Sequence, residues 1–281
     1  MKFKFKVSKL ANLLFFFQKT SQCHLISRNI NRLFYEKNEN KIWEQIEKSI
    51  GIQKVEQIKK SIVALKPAFV SYWPKALKHL LLWERYFQNN QPLFQQVILE
   101  VKKLSGTKHF AISKIPIYLV SNPCDEDKEI SAWFSWTPKE NFIVIEIPID
   151  LKVSNNFFPL SVLAHEIFHS ILRKNENLFL KISKIAEENE KILIKLSEDM
   201  PNRIFLEELL ISSFIPEGYL GEKYFGIKVN AHTLKPKDLL DWRRLVAFKL
   251  RDTVKKYLNN TQQIDKKYLQ SIIEVVKQST K

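Results

Sequence analysis

Two histidines four residues apart, His165 and His169, with Glu166 beside the first, are the residues of this chain best placed to do chemistry. On a helix, positions four apart share a face, so both imidazoles can point at one divalent cation, and this His-Glu-x-x-His spacing is the helix-borne arrangement that suits zinc. Glu166 is offset by one position and does not ligate. It leans toward a metal-bound water and can take its proton, while the metal lowers the pKa of that water. The flanking residues Val162, Leu163, Ala164, Ile167, Phe168, Ile171 and Leu172 are apolar, which predicts a helix buried almost all round. Two imidazoles and a carboxylate inside such a helix are unfavourable unless partnered, and a metal partners all three. The competing reading, two histidines and a solvated glutamate on a polar helix face, does not fit those flanks.

With these residues in place, the segment resembles the zincin metallopeptidases. The longer pattern fits as well: Val162 stands three before the first His, Ile167, Phe168 and Ser170 are uncharged, and Ile171 closes it. Where the metzincin branch continues with a Gly and a third His, this chain has Leu172 and Asn175. What remains resembles the gluzincins, over about residues 110 to 220. The resemblance implies peptide-bond hydrolysis with one zinc ion, a Glu from a later helix as third ligand, and a Tyr or His donor for the oxyanion. It also implies a short antiparallel edge strand that holds extended peptide substrate by its main chain. Tyr219 is the donor nearest the presumed ligand helix, with Tyr224 and His232 as the others. Ser131 to Trp136, with Ala132 and Trp133, is the edge-strand candidate; the other reading is that Trp133 and Trp136 pack the sheet.

Zinc bound by two imidazoles takes one more protein ligand and keeps a position for water. Phe205 to Ile215 is predicted to be a largely buried helix, yet it carries Glu207 and Glu208. The two point about 100° apart, so one ligates. Glu208 is favoured and Glu207 is the alternate. Ser212 lies one turn after Glu208 on the same face and is placed to hydrogen-bond a ligating carboxylate. Thermolysin-like enzymes have an Asp at that position, and a shorter gap from the second His, so a whole helix is inserted here. The competing reading pairs Glu207 and Glu208 with Arg203 or Arg173. Glu187, Glu188 and Glu190 belong to a helix that reads as solvated.

The elements that must position these residues are mostly helical. Met1 to Val7 alternates Phe and Val with Lys and predicts a strand; Ser8 then caps a helix through Phe17. Apolar stripes predict helices through Ile30 to Phe34, Ile42 to Ile50, Ile58 to Leu65, Tyr72 to Phe87 and Leu93 to Leu104, the last ended by Gly106. Ile115 to Val120, Ser131 to Trp136 and Phe142 to Pro148 predict strands. Pro159 and Ser161 open the motif helix, one long helix runs from Asn177 to Leu196, and helices from Leu239 and Tyr268 close the chain. The expected fold is α+β, mostly helical and zincin-like, with a small mixed sheet packed on the motif helix. The expected division is 1–110 (N-terminal strand and helices), 111–225 (catalytic core) and 226–281 (C-terminal helices), forming one compact unit.

Composition narrows the classes. The chain has 281 residues, 45% of them hydrophobic, enough for a full core. The longest early apolar run, Leu10 to Phe17, contains Asn12 and is too short to span a membrane. Lys2, Lys4 and Lys6 mimic a charged leader, but no small-residue cleavage site follows. Cys23 and Cys124 make no disulfide framework and read as free thiols of a cytoplasmic protein. The net charge of +15 raises nucleic-acid binding, yet of the 45 basic residues only eight are Arg, and they are spread along the chain. The five glycines form no dinucleotide loop, P-loop or nucleophile elbow. The expected function is zinc-dependent hydrolysis of a peptide or protein substrate. Its rivals are a zincin-like protein that binds a partner without cutting it, and a basic helical nucleic-acid-binding protein whose motif is accidental.

Overall fold

The computed structural model describes residues 3–21, 40, 44, 47–48, 52–107, 115–124, 129–136, 141–154, 156–197, 200–229 and 236–280. Cys23, His24, His109, His232 and most of the stripe expected between Ile30 and Ile50 lie outside them. In chain order the elements are β1 (Lys4–Lys6), α1 (Lys9–Ser21), α2 (Ile52–Asn89), α3 (Gln91–Ser105), β2 (Pro116–Asn122), β3 (Ser131–Trp136) and β4 (Asn141–Pro148). They continue with α4 (Phe158–Lys174), α5 (Glu176–Glu188), α6 (Glu190–Leu193), α7 (Asn202–Phe214), α8 (Tyr219–Phe225), α9 (Leu239–Asn259) and α10 (Lys266–Ser279). The protein is α+β and mostly helical, with one small mixed sheet. No described helix is long and apolar enough to cross a membrane.

The chain forms two compact units, each built from separated stretches: Lys2–Asn89 with Ser113–Ser154, and Asn90–Ile112 with Asn155–Lys281. This differs from the three consecutive blocks expected from the sequence. The strands of 111–225 belong to one unit and the His-Glu-x-x-His helix to the other.

In the first unit the sheet order is β1-β2-β4-β3. β1, β2 and β4 run parallel, and β3 runs antiparallel to β4 at the edge. β2 and β4 are near-continuous apolar runs, as parallel strands buried on both faces require. α1 and α2 cover one face, where Leu14, Phe15, Phe17, Val55, Ile58 and Ile62 meet Tyr118, Val120, Phe142 and Val144. β1 is only three residues long, and beyond its end the backbone of β2 needs other partners. The buried amide of Asn12 supplies them: its Nδ2 donates to the Leu119 carbonyl at 3.2 Å, and its Oδ1 accepts from the Ser121 N–H at 2.8 Å. The polar interruption in the α1 stripe is thus a tie to the sheet.

Trp133 packs against this same core, with its ring edge-on to Phe142 and its Nε1 donating to Glu146 at 3.0 Å. Ala132 and Trp133 do lie on an antiparallel edge strand, but the Trp133 side chain is taken up by the sheet. α2 is one helix through Pro67 and Pro74, where the sequence suggested two. An interior Pro costs about 3 kcal/mol. Here both sit on the exposed side, while Val55, Ile58, Ile62, Phe69, Ala76, Leu80, Trp83 and Phe87 form a buried stripe that never changes phase. Burial of that stripe outweighs the two lost hydrogen bonds.

The second unit is helical. α4 is buried almost all round, as its flanks predicted. α7 packs most extensively on α9 and is also apolar on nearly every side. Phe214 of α7 stacks on Tyr268 of α10 at 5.1 Å between centroids and meets the tilted ring of Phe168 of α4 at 5.7 Å. Asn175 caps α5 by accepting from the Leu178 N–H. The expected single helix from Asn177 to Leu196 is broken. Asn189 leaves helical geometry and turns its amide back onto the Ile185 carbonyl, so α5 ends there and the short α6 follows.

Candidate metal centre

α4 presents His165 and His169 side by side, both buried, with ring centroids 4.9 Å apart. Their Nε2 atoms lie 3.1 Å from each other. Glu208, from α7, completes the group: its carboxylate oxygens are 3.1 Å from His165 Nε2 and 3.0 Å from His169 Nε2. Each Nε2 thus lies 3.0–3.1 Å from the other and from one oxygen of the same carboxylate. Donor atoms about 2.0–2.1 Å from a tetrahedral zinc lie about 3.3 Å from one another, so the donor set and its spacing fit such an ion. Glu166 belongs to the same buried cluster, with donor atoms of His165, Glu166 and His169 all within 4.8 Å of one another. This His-Glu-His group can hold a metal ion.

What aims the imidazoles is the opposite nitrogen of each ring. His165 Nδ1 is 3.0 Å from the Ile215 carbonyl, at the extended residue just past α7. His169 Nδ1 is 2.8 Å from Glu207 Oε1. Donation from Nδ1 in both rings leaves Nε2 as the ligating atom. Two glycines allow the chain to fold back closely behind Ile215. A Cβ on Gly218 would fall on the carbonyl oxygen of Ser213, and one on Gly221 on that of Pro216.

The two adjacent glutamates have different work. Glu208 faces the two Nε2 atoms, whereas Glu207, wholly buried, bonds the back of His169 and is paired with both Arg173 and Arg203. The ligand choice and the pairing with arginines were rival readings of the sequence. The arginine pairing is made by Glu207, and Glu208 is the carboxylate that faces the imidazoles.

Charge follows from these contacts. Burial pushes the Glu166 carboxyl up, and the Glu208 charge adds to that; His169, His165 and Arg243 oppose it without cancelling it. Burial alone would raise Glu207 and Glu208 too. For Glu207 it is outweighed by the His169 hydrogen bond and the two arginines, and for Glu208 by both histidines, so both fall below the usual carboxylate range, Glu208 well below. Burial disfavours a charged His169, but the surrounding carboxylates of Glu208, Glu207 and Glu166 raise it to about 10.

Ser212 does not act as expected. Its Oγ accepts a 2.7 Å bond from Arg243 Nε, and it is Arg243 that stands beside Glu208, 3.9 Å from Oε2. The same guanidinium pairs with Glu217 at 3.0 Å. Arg243 comes from α9, about 35 residues after the ligand, and only the packing of α7 on α9 brings it here. The adjacent Arg243-Arg244 pair gave no periodic or motif signal. Tyr219 opens α8, and its ring lies against Arg251 at 5.9 Å and Lys255 at 5.3 Å. Among the described residues no hydrogen bond or ring contact joins it to the histidine cluster. Tyr224 bonds Glu100 at 3.3 Å.

Comparison with known proteins returns no match: no protein family, no curated protein and no solved structure corresponds to this chain.

Proposed function

We propose that the protein is a zinc-dependent metallopeptidase whose ion is held by His165, His169 and Glu208. The observation that carries this reading is the convergence of both Nε2 atoms and the Glu208 carboxylate at 3.0–3.1 Å, with each Nδ1 already engaged by a partner behind it. Two imidazoles and one carboxylate are a donor set of catalytic zinc, which keeps a fourth position for water. When bound, zinc lowers the pKa of water and polarises the scissile carbonyl.

The rest of the chemistry belongs to the chain. Glu166, with its carboxyl raised by burial, is the general base that takes the proton from the attacking water. It returns that proton to the amine nitrogen as the C–N bond breaks, so that one water is consumed and a carboxylate and an amine are released. Arg243, locked by Ser212 and Glu217, holds the Glu208 side chain in place and adds positive charge beside the reaction centre.

The test is Glu166→Gln. The variant should bind one equivalent of zinc as the wild type does and lose hydrolysis of denatured casein by a factor of about a thousand or more. Full activity in that variant, or chelator-insensitive activity in the wild type, would end the peptidase reading. Normal zinc content with no hydrolysis in the wild type would instead favour a binding protein built on the same fold.

A further inference from the structure

Among the described acids of the second unit Glu207 is the most completely enclosed, with no side-chain exposure at all. Its Oε1 accepts from His169 Nδ1 at 2.8 Å and from Arg173 Nε at 3.2 Å. Its Oε2 meets Arg203 Nη1 at 2.8 Å and Arg173 Nη2 at 3.1 Å. Two cations on one carboxylate are one more than neutralisation needs, and the two guanidinium groups repel each other. The Glu207 carboxylate bridges them, and an aromatic ring adds to that. Phe179 of α5 lies under both, 5.2 Å from the Arg173 guanidinium carbon and 4.7 Å from that of Arg203. An aromatic face attracts cations, and one face shared by two guanidinium groups holds them in a common arrangement.

The connectivity is informative. Arg173 is on the last turn of α4, four residues after His169; Arg203 is on the first turn of α7, four before Glu207. Phe179 comes from α5, which contributes no residue to the His-Glu-His cluster or to Glu208. Here three helices converge on the one carboxylate that decides where the His169 ring points.

We propose that Phe179, Arg173 and Arg203 form a clamp that holds Glu207 against His169 Nδ1 and thereby sets the metal affinity of the centre from a helix that carries no ligand. Glu207, the arginines and Phe179 are positioning residues: a tightly accepted Nδ1–H fixes both the tautomer and the ring angle and makes Nε2 a better donor to a cation. The inference rests on the metal reading given above and adds to it a chain of control running from α5 through α7 to α4.

The experiment is a competition titration of the full-length chain with Zn²⁺ and with Co²⁺ against a chelating dye. Phe179→Leu keeps the apolar bulk and removes the ring face; Glu207→Gln keeps the shape and removes the charge. Leu180→Ala, at an exposed position of the same helix, is the control. We expect Zn²⁺ affinity to fall about 10–100-fold in Glu207→Gln and about threefold in Phe179→Leu. Leu180→Ala should be unchanged, and all should keep one ion per chain and the far-UV spectrum of the wild type. The visible Co²⁺ bands should shift in Glu207→Gln, a change that mere loss of stability does not produce. Wild-type affinity in Phe179→Leu overturns the clamp, even where Glu207→Gln is weakened. If Glu207→Gln does not fold, Phe179→Leu, at a half-exposed position, decides alone. A wild-type chain that takes up neither ion overturns the metal reading instead, and the clamp with it.

Discussion

Arg243 shows how a single side chain can serve a site without touching its proposed ion. Its Nε is fixed by Ser212 and one Nη by Glu217, and the guanidinium lies 3.9 Å from Glu208. Lysine carries the same charge but cannot span three partners with a planar fork. Arg243→Lys is therefore expected to keep one bound zinc while kcat/KM falls about tenfold, a loss of about 1.4 kcal/mol in transition-state stabilisation. Steady-state kinetics with metal analysis on the same preparation checks this; unchanged kinetics would remove Arg243 from the site. Asn12 makes the corresponding point for the sheet. Replacing it by Ala leaves the Leu119 carbonyl and the Ser121 N–H buried without their partner. Asn12→Ala should lower stability by about 2–4 kcal/mol in urea titration, and a change below 0.5 kcal/mol would show that other groups replace the amide.

At the scale of elements, one turn and one helix carry distinct expectations. The chain behind α7 can fold back on Ile215 only because Gly218 has no Cβ where the Ser213 carbonyl stands. Gly218→Ala must push that turn away, and with it the Ile215 carbonyl that orients His165. The variant is expected to bind zinc at least tenfold more weakly than the wild type in a chelator competition, with loss of thermal stability; wild-type affinity would mean that the turn yields without moving Ile215. α2 carries the opposite expectation. Pro67 and Pro74 interrupt its hydrogen bonding on the exposed side of an otherwise unbroken helix. Pro74→Ala restores a donor there and should raise the denaturation midpoint, by up to about 3 kcal/mol in stability. A fall would mean that the buried stripe depends on a proline bend.

For the molecule as a whole, every residue assigned to the metal centre lies in one of the two units, the one that includes Asn155–Lys281. A ligand bound only by the native state adds stability to the structure that holds it. Chelation is thus expected to lower hydrogen-exchange protection in α4 and α7 much more than in β2 and β4. Equal loss in both sets of amides would show that metal and sheet stability are one cooperative property.

Much of this was readable before any coordinates. The His165–His169 spacing, the apolar flanks of α4 and the two carboxylates in an otherwise apolar α7 are local patterns, and a helix converts spacing into direction by its own geometry. The strands followed from apolar runs and turn residues, whereas the antiparallel-edge position of Ser131–Trp136 was implied by the resemblance and not by any local pattern. What needed the tertiary structure was every relation between distant elements. Whether Glu207 or Glu208 faces the imidazoles depends on the rotation of α7 about its axis, which its nearly uniform apolar surface does not encode. Arg243 is separated from Glu208 by 35 residues and Phe179 from Arg203 by 24, so neither relation is a local pattern. The single α2 and the break at Asn189 turned on burial and a side-chain cap outweighing local propensity. Local chemistry is written in spacing, but the partner of a buried charge is chosen by packing, because only a folded interior makes leaving that charge alone unfavourable.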